Sequence, residues 1–166
     1  MTAAWKSSII LLRPPSCRAR AMSDFHISTD PAELDVPAIH QFLSTQSSWA
    51  TGMPMVVLRR ALAHSLCFGG YADGRQVAFA RVVSDYATFA NLVDVYVLPE
   101  YRGRGFSKRL MAAVFAHEDL QGLRRFTLAT GDAHGLYARF GFSAPLRPQS
   151  LMERYFPTLY TDAPAA

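Results

Sequence analysis

The chain has 166 residues, which is the length of one ordinary domain. Half of the residues are hydrophobic and 18% are charged, so the sequence can bury a substantial core and does not have the composition of a disordered protein. The formal net charge is only +4, and basic and aromatic residues do not alternate over any long stretch, which argues against nucleic-acid binding. No segment is long and apolar enough to predict a membrane-spanning helix or a membrane protein.

The two cysteines, Cys17 and Cys67, predict a free thiol rather than a metal site. They form neither a CxxC pair nor a Cys/His cluster with the spacing of metal ligands, so we expect no metal. Cys67 lies in an apolar run, which is typical of a buried cysteine. Because so few cysteines are available for disulfides, we expect a reducing, cytoplasmic compartment.

Residues 1–21 differ from the rest of the chain. They contain four basic residues and no acidic one, and their apolar run is too short for a membrane span. We interpret them as a leader that is disordered or precedes the natural start, with a targeting peptide as the alternative. Patterned sequence begins directly after Met22, so residues 22–166 are expected to form a single domain.

The first half of the domain is predicted to contain two helices and a hairpin. Apolar residues recur with helical spacing in two stretches, which are separated by a polar, glycine-bearing loop. Strand-forming residues on both sides of Ala72-Asp73-Gly74 favour a β-hairpin. In chain order, we expect a strand at 25–28, a helix at 35–43, a loop at 44–54, a helix at 55–64 and strands at 65–71 and 77–83.

The second half alternates strands with helices. Pro99 ends a strand rich in β-branched and aromatic residues, Asp132 can cap a short helix, and Gly141 can end that helix. We expect a strand at 89–98, a helix at 105–117, a strand at 125–130, a helix at 133–139 and strands at 142–144 and 152–156. Antiparallel hairpins followed by this alternation predict an α+β, or mixed α/β, domain with one central sheet.

The loop between strand 89–98 and the next helix has the composition of an anion site. Gly103 and Gly105 allow backbone amides to approach a ligand closely, and the N-terminus of a helix adds free N–H groups and partial positive charge. Phosphate or pyrophosphate suits such a cradle. The sequence matches neither a Walker loop nor a dinucleotide fingerprint, and on spacing alone a plain turn is an equal alternative. Three basic side chains surround the glycines: Arg102, Arg104 and Lys108.

Two segments of the chain together resemble the GNAT superfamily of N-acetyltransferases. Tyr101-Arg-Gly-Arg-Gly-Phe-Ser107 is similar to the pyrophosphate loop of that family, and the strand before it is similar to the family's fourth strand. Leu136-Tyr-Ala-Arg-Phe-Gly-Phe142 is similar to a second signature, and both occur in the family's order. The resemblance covers about residues 25–156. It implies the GNAT fold, with a mostly antiparallel, twisted sheet of six to seven strands that is splayed at the fourth and fifth strands.

The resemblance implies an enzyme of the acyl-CoA-dependent N-acyltransferase class. Acetyl-CoA would donate its acetyl group to a primary amine by direct attack in a ternary complex, without a metal. Tyr137 would protonate the leaving thiolate, as a neutral phenol can. A non-catalytic acyl-CoA-binding sensor or partner module on the same fold is the alternative. The implied contacts to the cosubstrate come from Val95, Tyr96, Val97, Arg102, Gly103, Arg104, Gly105, Phe106, Ser107 and Lys108.

The general base is the main departure from the family pattern. Several members use a glutamate on the fourth strand, and Asn91 at the matching position cannot act as a base. Asp94 is acidic, but strict alternation turns it to the face opposite its neighbours. A bulge, which is common in this strand of the family, would re-aim it.

His134 is a second candidate for the base. It lies one turn before Tyr137 on the predicted helix, and its pKa range suits proton transfer near neutral pH. Asp85 and Asp132 are further candidates, although Asp132 is assigned mainly to helix capping. A chain of water molecules with no dedicated base remains an alternative.

Aromatic residues suggest where the acceptor could bind. Trp49 lies in the loop between the first two helices, and Tyr86 and Phe89 lie near the start of the fourth strand. These three are expected to line the acceptor pocket, with packing on the core or on a partner subunit as an equal alternative for Trp49. We expect a small-molecule amine as the acceptor, and the resemblance also allows a homodimer.

Overall fold

The computed structural model describes residues 24–162. The strands are β1 (His26–Ser28), β2 (Leu66–Ala72), β3 (Arg75–Ser84), β4 (Phe89–Val97) and β5 (Arg125–Leu128). The helices are α1 (Val36–Thr45), α2 (Met55–Ala63), α3 (Phe106–Ala116) and α4 (His134–Tyr137). None of these four helices is long and apolar enough to cross a membrane. The predicted leader over residues 1–21, together with Cys17 and Met22, lies outside the described residues.

One sheet with the strand order β1-β2-β3-β4-β5 runs through the domain. The first three pairings are antiparallel, and β4 pairs with β5 in parallel. The turn between β2 and β3 consists of Asp73 and Gly74, whose φ angles of 53° and 72° are those that a type I′ hairpin turn requires. The prediction of a mixed α/β domain with one mostly antiparallel sheet is confirmed.

Two hydrophobic clusters pack on opposite faces of the sheet. Alternate residues of β3 face one cluster or the other, which is the pattern of a strand buried on both faces. Full burial of such a side chain stabilises the fold by about 1.5–3 kcal/mol. The first cluster includes Ala78, Ala80 and Val82 of β3 with Leu110, Met111 and Val114 of α3. The second includes Phe79 of β3 with Ile39, Phe42 and Leu43 of α1 and Leu58 of α2.

β4 separates from β5 halfway along its length. The two strands pair only from Phe89 to Leu92 of β4, and β4 then continues to Val97 without a β5 partner. The gap between the two strands therefore opens toward the loop that precedes α3. This is the splay that the resemblance implied.

A bulge begins two residues after Leu92, the last residue of β4 that pairs with β5. Asp94 and Val95 together lie opposite Ala80 of β3, where regular pairing would place one residue. The alternation of β4 shifts at this point, because Leu92 before the bulge and Val95 after it contact the same cluster. Asp94 adopts a φ of 54° in the left-handed region, which is uncommon outside glycine but best tolerated by Asp and Asn.

The C-terminal segment differs from the prediction. Segments 142–144 and 152–156 form no strand, so the described residues contain five strands rather than six or seven. Pro145, Pro148 and Pro157 interrupt this region, and a proline cannot donate to a strand ladder. Large apolar side chains of the segment are instead exposed: Leu146, Leu151, Met152, Tyr155, Phe156 and Leu159.

The short helix α4 also differs in detail from the prediction. It continues as a 3₁₀ turn over Ala138–Phe140, and Gly141 ends the turn with a φ of 85°, as expected. The predicted cap is wrong, because Ala133 rather than Asp132 is the N-cap residue of α4, and no side chain of the described residues caps this helix. The Thr130 hydroxyl accepts from the N–H of this N-cap residue at 3.0 Å and so fixes the backbone just before the helix.

Candidate active site

The loop between β4 and α3 presents its backbone to open space. Gly103 and Gly105 have φ angles of 75° and 81°, which glycine adopts without steric cost. A Cβ atom at either position would meet no atom within 4 Å. The Lys108 N–H, which was expected to bind the ligand, instead donates to the Gly105 carbonyl at 3.1 Å. In the described part of the chain, the N–H groups from Gly103 to Ser107 have no backbone acceptor, as is usual at a helix N-terminus.

The basic side chains of the loop have different roles. Arg102 Nε donates to the Val97 carbonyl at 3.0 Å, and Arg104 Nη2 donates to the Glu100 carbonyl at 3.0 Å. A guanidinium carries five N–H donors, so each arginine keeps donors for an anion while it fixes the loop. Lys108 is exposed at the first turn of α3. The loop therefore combines preset backbone donors with three cationic groups.

The edge of β4 beside the splay carries free backbone groups. The Leu98 N–H donates to the Val77 carbonyl at 2.9 Å, so Leu98 faces β3. Because backbone groups alternate along a strand, those of Val95 and Val97 face the splay. The Val97 carbonyl already accepts from Arg102. The Val95 N–H and carbonyl and the Val97 N–H therefore line the gap where β5 no longer pairs.

Tyr96 does not belong to this edge. By the same alternation its backbone pairs with β3, opposite Phe79. Its ring stacks on Phe42 of α1 at a centroid distance of 3.8 Å. Burial, and to a lesser degree Asp35 and Asp94, raise the pKa of this phenol. Tyr96 therefore packs against α1 and pairs with β3. Neither its ring nor its backbone faces the edge of β4 that borders the splay.

Asp94 is turned by the bulge toward α1 and α2, where it is enclosed. It is 7% exposed, and its Oδ2 lies 2.7 Å from Arg81 Nη2 and accepts from Arg81 Nε at 2.8 Å. Its Oδ1 accepts from the Trp49 indole N–H at 3.2 Å. Both oxygens of Asp94 are thus engaged in hydrogen bonds to Arg81 and Trp49. The bulge re-aims Asp94 as the sequence allowed, but into an ion pair.

Tyr137 and His134 line one groove together with residues of β5. The groove has a volume of about 1090 Å³ and runs between β5 and residues 142–151. Tyr137 is 8% exposed, and its ring meets Phe142 edge to face at 6.1 Å. Burial, and secondarily the charge of Asp132, raise the pKa of Tyr137, so the phenol stays protonated at neutral pH. His134 is exposed three residues earlier on α4.

Asn91, at the position of the family's glutamate, and the two remaining candidates for the base, Asp85 and Asp132, are poorly placed for proton transfer. Asn91 is half-buried on β4, and its Oδ1 accepts from Thr127 Oγ1 at 3.0 Å. Asp85 accepts from the Thr88 hydroxyl and from backbone N–H groups of the β3–β4 turn, and these bonds, the hydroxyl bond first, lower its pKa. Asp132 is exposed, and its charge contributes to the raised pKa of Tyr137. Each of these groups stabilises local structure or faces solvent.

The three aromatic residues predicted to line the acceptor pocket do not lie together. Trp49 is 51% exposed and donates a hydrogen bond to Asp94 in the bulge of β4. Phe89 lies five residues before Asp94 on β4, so the two residues are roughly 16 Å apart at the usual rise of a strand. Tyr86 lies farther along, in the turn that precedes β4. Only Trp49 stands close to the edge of β4 that faces the splay.

Cys67 is a buried free thiol, as predicted. Burial raises its pKa to about 11, with a smaller opposing effect of Arg81. A protonated thiol in the second hydrophobic cluster is not a nucleophile at neutral pH. Covalent transfer through this cysteine is therefore not supported by its surroundings.

Sequence reasoning missed Arg81. It is the single charge in the apolar run from Val77 to Val83 of β3, and Asp94 is the single charge in the neighbouring strand β4. Because a buried charge needs a partner, two opposite charges on paired strands predict an ion pair. That signal was present in the sequence and identifies the pair without the structure.

Comparisons with known proteins agree with this geometry. A family model described as an acetyltransferase (GNAT) domain matches residues 63–144. A curated protein of Gibberella zeae, provisionally named as an acetyltransferase, is 36% identical over 138 residues, which cover 70% of this chain and 77% of that protein.

Solved structures add to these matches. A GNAT-family protein of Xanthomonas campestris pv. campestris, provisionally described as an acetyltransferase, is 67% identical with a TM-score of 0.81, over 82% of this chain and 96% of that one. A GNAT family acetyltransferase of Elizabethkingia anophelis, solved with acetyl-CoA bound, has a TM-score of 0.54 over 72% of this chain and 76% of that one. At 13% identity this last likeness concerns the fold alone.

Proposed function

The chain belongs to the GNAT acetyltransferase family, and we propose that it transfers the acetyl group of acetyl-CoA to the primary amine of a small molecule. One observation carries the proposal: the free backbone edge of β4 is followed by a loop with open space at its two glycines and with N–H groups that have no backbone acceptor among residues 24–162. A long ligand with amides at one end and a pyrophosphate at the other matches this order of donors. We also propose a cytoplasmic location, on the cysteine content alone.

The backbone would hold the cosubstrate at both ends. Val95 and Val97 would pair with the amides of the pantetheine arm as an added strand would. The N–H groups from Gly103 to Ser107 would bind the pyrophosphate at the N-terminus of α3, with Arg102, Arg104 and Lys108 adding charge. The acetyl-CoA complex of the Elizabethkingia protein supports the cosubstrate at the level of the fold.

The reaction would be a direct acyl transfer. The amine nitrogen attacks the thioester carbonyl carbon, a C–N bond forms, and the C–S bond breaks. The Val95 or Val97 N–H would stabilise the developing oxyanion. Tyr137 would give its phenolic proton to the departing thiolate, and the proton lost by the amine would restore the phenol through solvent. The products are the N-acetylated amine and free CoA, so atoms and charge balance.

His134 would take the proton from the amine, directly or through water. It is solvent-exposed in the groove that Tyr137 also lines, and a neutral imidazole can accept a proton near pH 7. Asp94 is not available for this step while Arg81 and Trp49 occupy both of its oxygens. Asp85 is bound by its own turn. The choice of His134 therefore rests on position and accessibility.

The charge of the groove favours an acceptor that also carries an acidic group. Arg124, Arg125 and Arg147 line the groove, and no Asp or Glu is among its lining residues in the described part of the chain. A polyamine or an aminoglycoside would bring several positive charges to this surface, which Coulomb repulsion disfavours. An amine with a carboxylate or phosphate group is the better match.

A panel of amines tests the proposal. The full chain is incubated with acetyl-CoA and single amines: amino acids, amino phosphates, a polyamine and an aminoglycoside. CoA release is followed with a thiol reagent, and the N-acetylated product is identified by mass. Turnover with an acidic amine is expected. Binding of acetyl-CoA without turnover of any amine would instead favour the non-catalytic module.

Two variants test the acceptor class. Arg147→Ala is expected to raise KM for the acidic amine roughly fivefold or more, because one favourable charge is lost. Arg60→Ala, an exposed arginine on α2 outside the groove, is the matched control and should leave KM unchanged. Equal effects of the two variants would contradict a role of the groove in binding the acceptor.

A further inference from the structure

Asp94 lies at the meeting point of three parts of the molecule. Its own backbone forms the bulge of β4, one of its oxygens binds Arg81 of β3, and the other binds Trp49 of the loop between α1 and α2. The arginine is fixed in turn, because Arg81 Nη1 donates to Ser65 Oγ at 3.0 Å. One buried carboxylate therefore connects β4, β3 and the loop over residues 46–54.

The bulge controls the strand edge that would meet the cosubstrate. Pairing with β5 ends at Leu92, and Val95 directly follows Asp94. With a φ of 54°, Asp94 sets the direction in which the Val95 backbone leaves the bulge. A left-handed residue other than glycine persists only when its surroundings hold it, and the two bonds to Arg81 Nε and Nη2 do so here.

The loop over residues 46–54 is built as a compact unit with one polar side-chain link to β4. Its own bonds include Ala50 N–H to Ser47 Oγ at 3.1 Å and Thr51 Oγ1 to the Ser47 carbonyl at 2.7 Å. The Trp49 indole N–H then reaches out of the loop to Asp94 Oδ1. Half of the indole remains exposed, so its ring is free to contact a second substrate.

We infer that Asp94 is a positioning residue that couples the cosubstrate edge of β4 to the loop over residues 46–54. The inference rests on the proposed function, because it takes acetyl-CoA as the ligand of the β4 edge. A ligand that pairs with Val95 biases the backbone of the bulge, and the Asp94 carboxylate carries this bias to Trp49. The loop over residues 46–54 thereby takes its final position only when the acyl donor is in place.

The fluorescence of Trp49 tests the coupling without knowledge of the acceptor. The sequence has two tryptophans, so the full chain with Trp5→Phe leaves Trp49 as the only indole. Acetyl-CoA is titrated while the emission of Trp49 and its quenching by acrylamide are recorded, and calorimetry measures binding on the same sample. The emission is expected to change with the same midpoint as the calorimetric curve.

Asp94→Asn is the informative variant. Asparagine tolerates the left-handed backbone, but its amide has one acceptor oxygen where the carboxylate has two, so it serves Arg81 or Trp49 and not both. The emission of this variant is compared at an acetyl-CoA concentration that calorimetry shows to be saturating, so that a change in affinity does not affect the comparison. The emission change of Trp49 should fall to less than about a third. Ser65→Ala removes a hydrogen bond of Arg81 on the far side and is the matched control, with the emission change retained.

The outcomes separate the two ideas. Calorimetric binding with no emission change in Trp5→Phe, or with the same change in Asp94→Asn, overturns the coupling and leaves the proposed function intact. No calorimetric binding in Trp5→Phe overturns both. If Asp94→Asn does not fold because Arg81 is left with a poor partner, the double variant Arg81→Met with Asp94→Asn removes both charges and takes its place. The same two results decide the inference for that variant.

Discussion

Tyr137→Phe is the sharpest test of the chemistry. The substitution removes one oxygen atom and keeps the ring that meets Phe142 edge to face at 6.1 Å, so the fold and the affinity for acetyl-CoA should be nearly unchanged. A positioned general acid contributes about 10²–10⁴-fold, and we expect kcat to fall at least about tenfold. A hundredfold loss would correspond to about 2.7 kcal/mol of transition-state stabilisation. Steady-state kinetics with the best amine of the panel, and calorimetry with acetyl-CoA, measure the two quantities.

The pH dependence adds a second signature. Burial raises the pKa of Tyr137, so the proton donor persists at neutral pH and the alkaline loss of kcat is expected only above about pH 10. The defect of Tyr137→Phe should narrow above about pH 9, since a thiol with a pKa near 8.5 then leaves without needing a proton. An unchanged kcat at pH 7 would refute the assignment of Tyr137 as the acid.

Three further predictions concern the loop, the thiol and the turn. Gly105→Val should weaken acetyl-CoA binding at least about a hundredfold in calorimetry, because a valine is strained at a φ of 81° and its side chain fills the open space. Gly122→Val is the control, because Gly122 has a φ of 72° and equally open surroundings, and this variant should bind acetyl-CoA normally. Cys67→Ala should keep kcat within about twofold, since a buried thiol with a pKa of about 11 is not a nucleophile, and a large loss would point to covalent catalysis. Asp85→Ala should lower the melting temperature by a few degrees at pH 7. Because the folded pKa of Asp85 is depressed, that difference should shrink as the pH falls below about 4, and a difference independent of pH would contradict the account.

The elements that follow from local pattern were predictable. The type I′ turn at Asp73-Gly74 and the end of the α4 turn at Gly141 depend on the backbone of a few residues, and both formed as expected. Strands 142–144 and 152–156 did not form, because a strand requires a partner and local propensity does not supply one. The cap predicted at Asp132 was wrong because α4 begins at His134, one residue later than expected, so that Ala133 occupies the N-cap position.

The site was predictable to the extent that it consists of backbone. The local sequence contains the two glycines of the loop and the strand before it. In the structure both glycines have positive φ angles and open space around them, as expected. The surroundings of Asp94 were not predictable from the local sequence, because Arg81 is 13 residues away and Trp49 is 45 residues away along the chain. Tertiary contacts decide whether a carboxylate is a free base or one half of an ion pair.

Thermal melting of the full chain with and without acetyl-CoA and free CoA tests the central claim most directly. A ligand that binds only the folded state at a hundred times its Kd stabilises it by about 2.7 kcal/mol. For a chain of this size that corresponds to a rise in Tm of roughly 5–10 °C. The account predicts this rise with both ligands and its loss in Gly105→Val. No shift with either ligand at millimolar concentration would contradict the assignment of the β4 edge and its glycine loop as an acyl-CoA site.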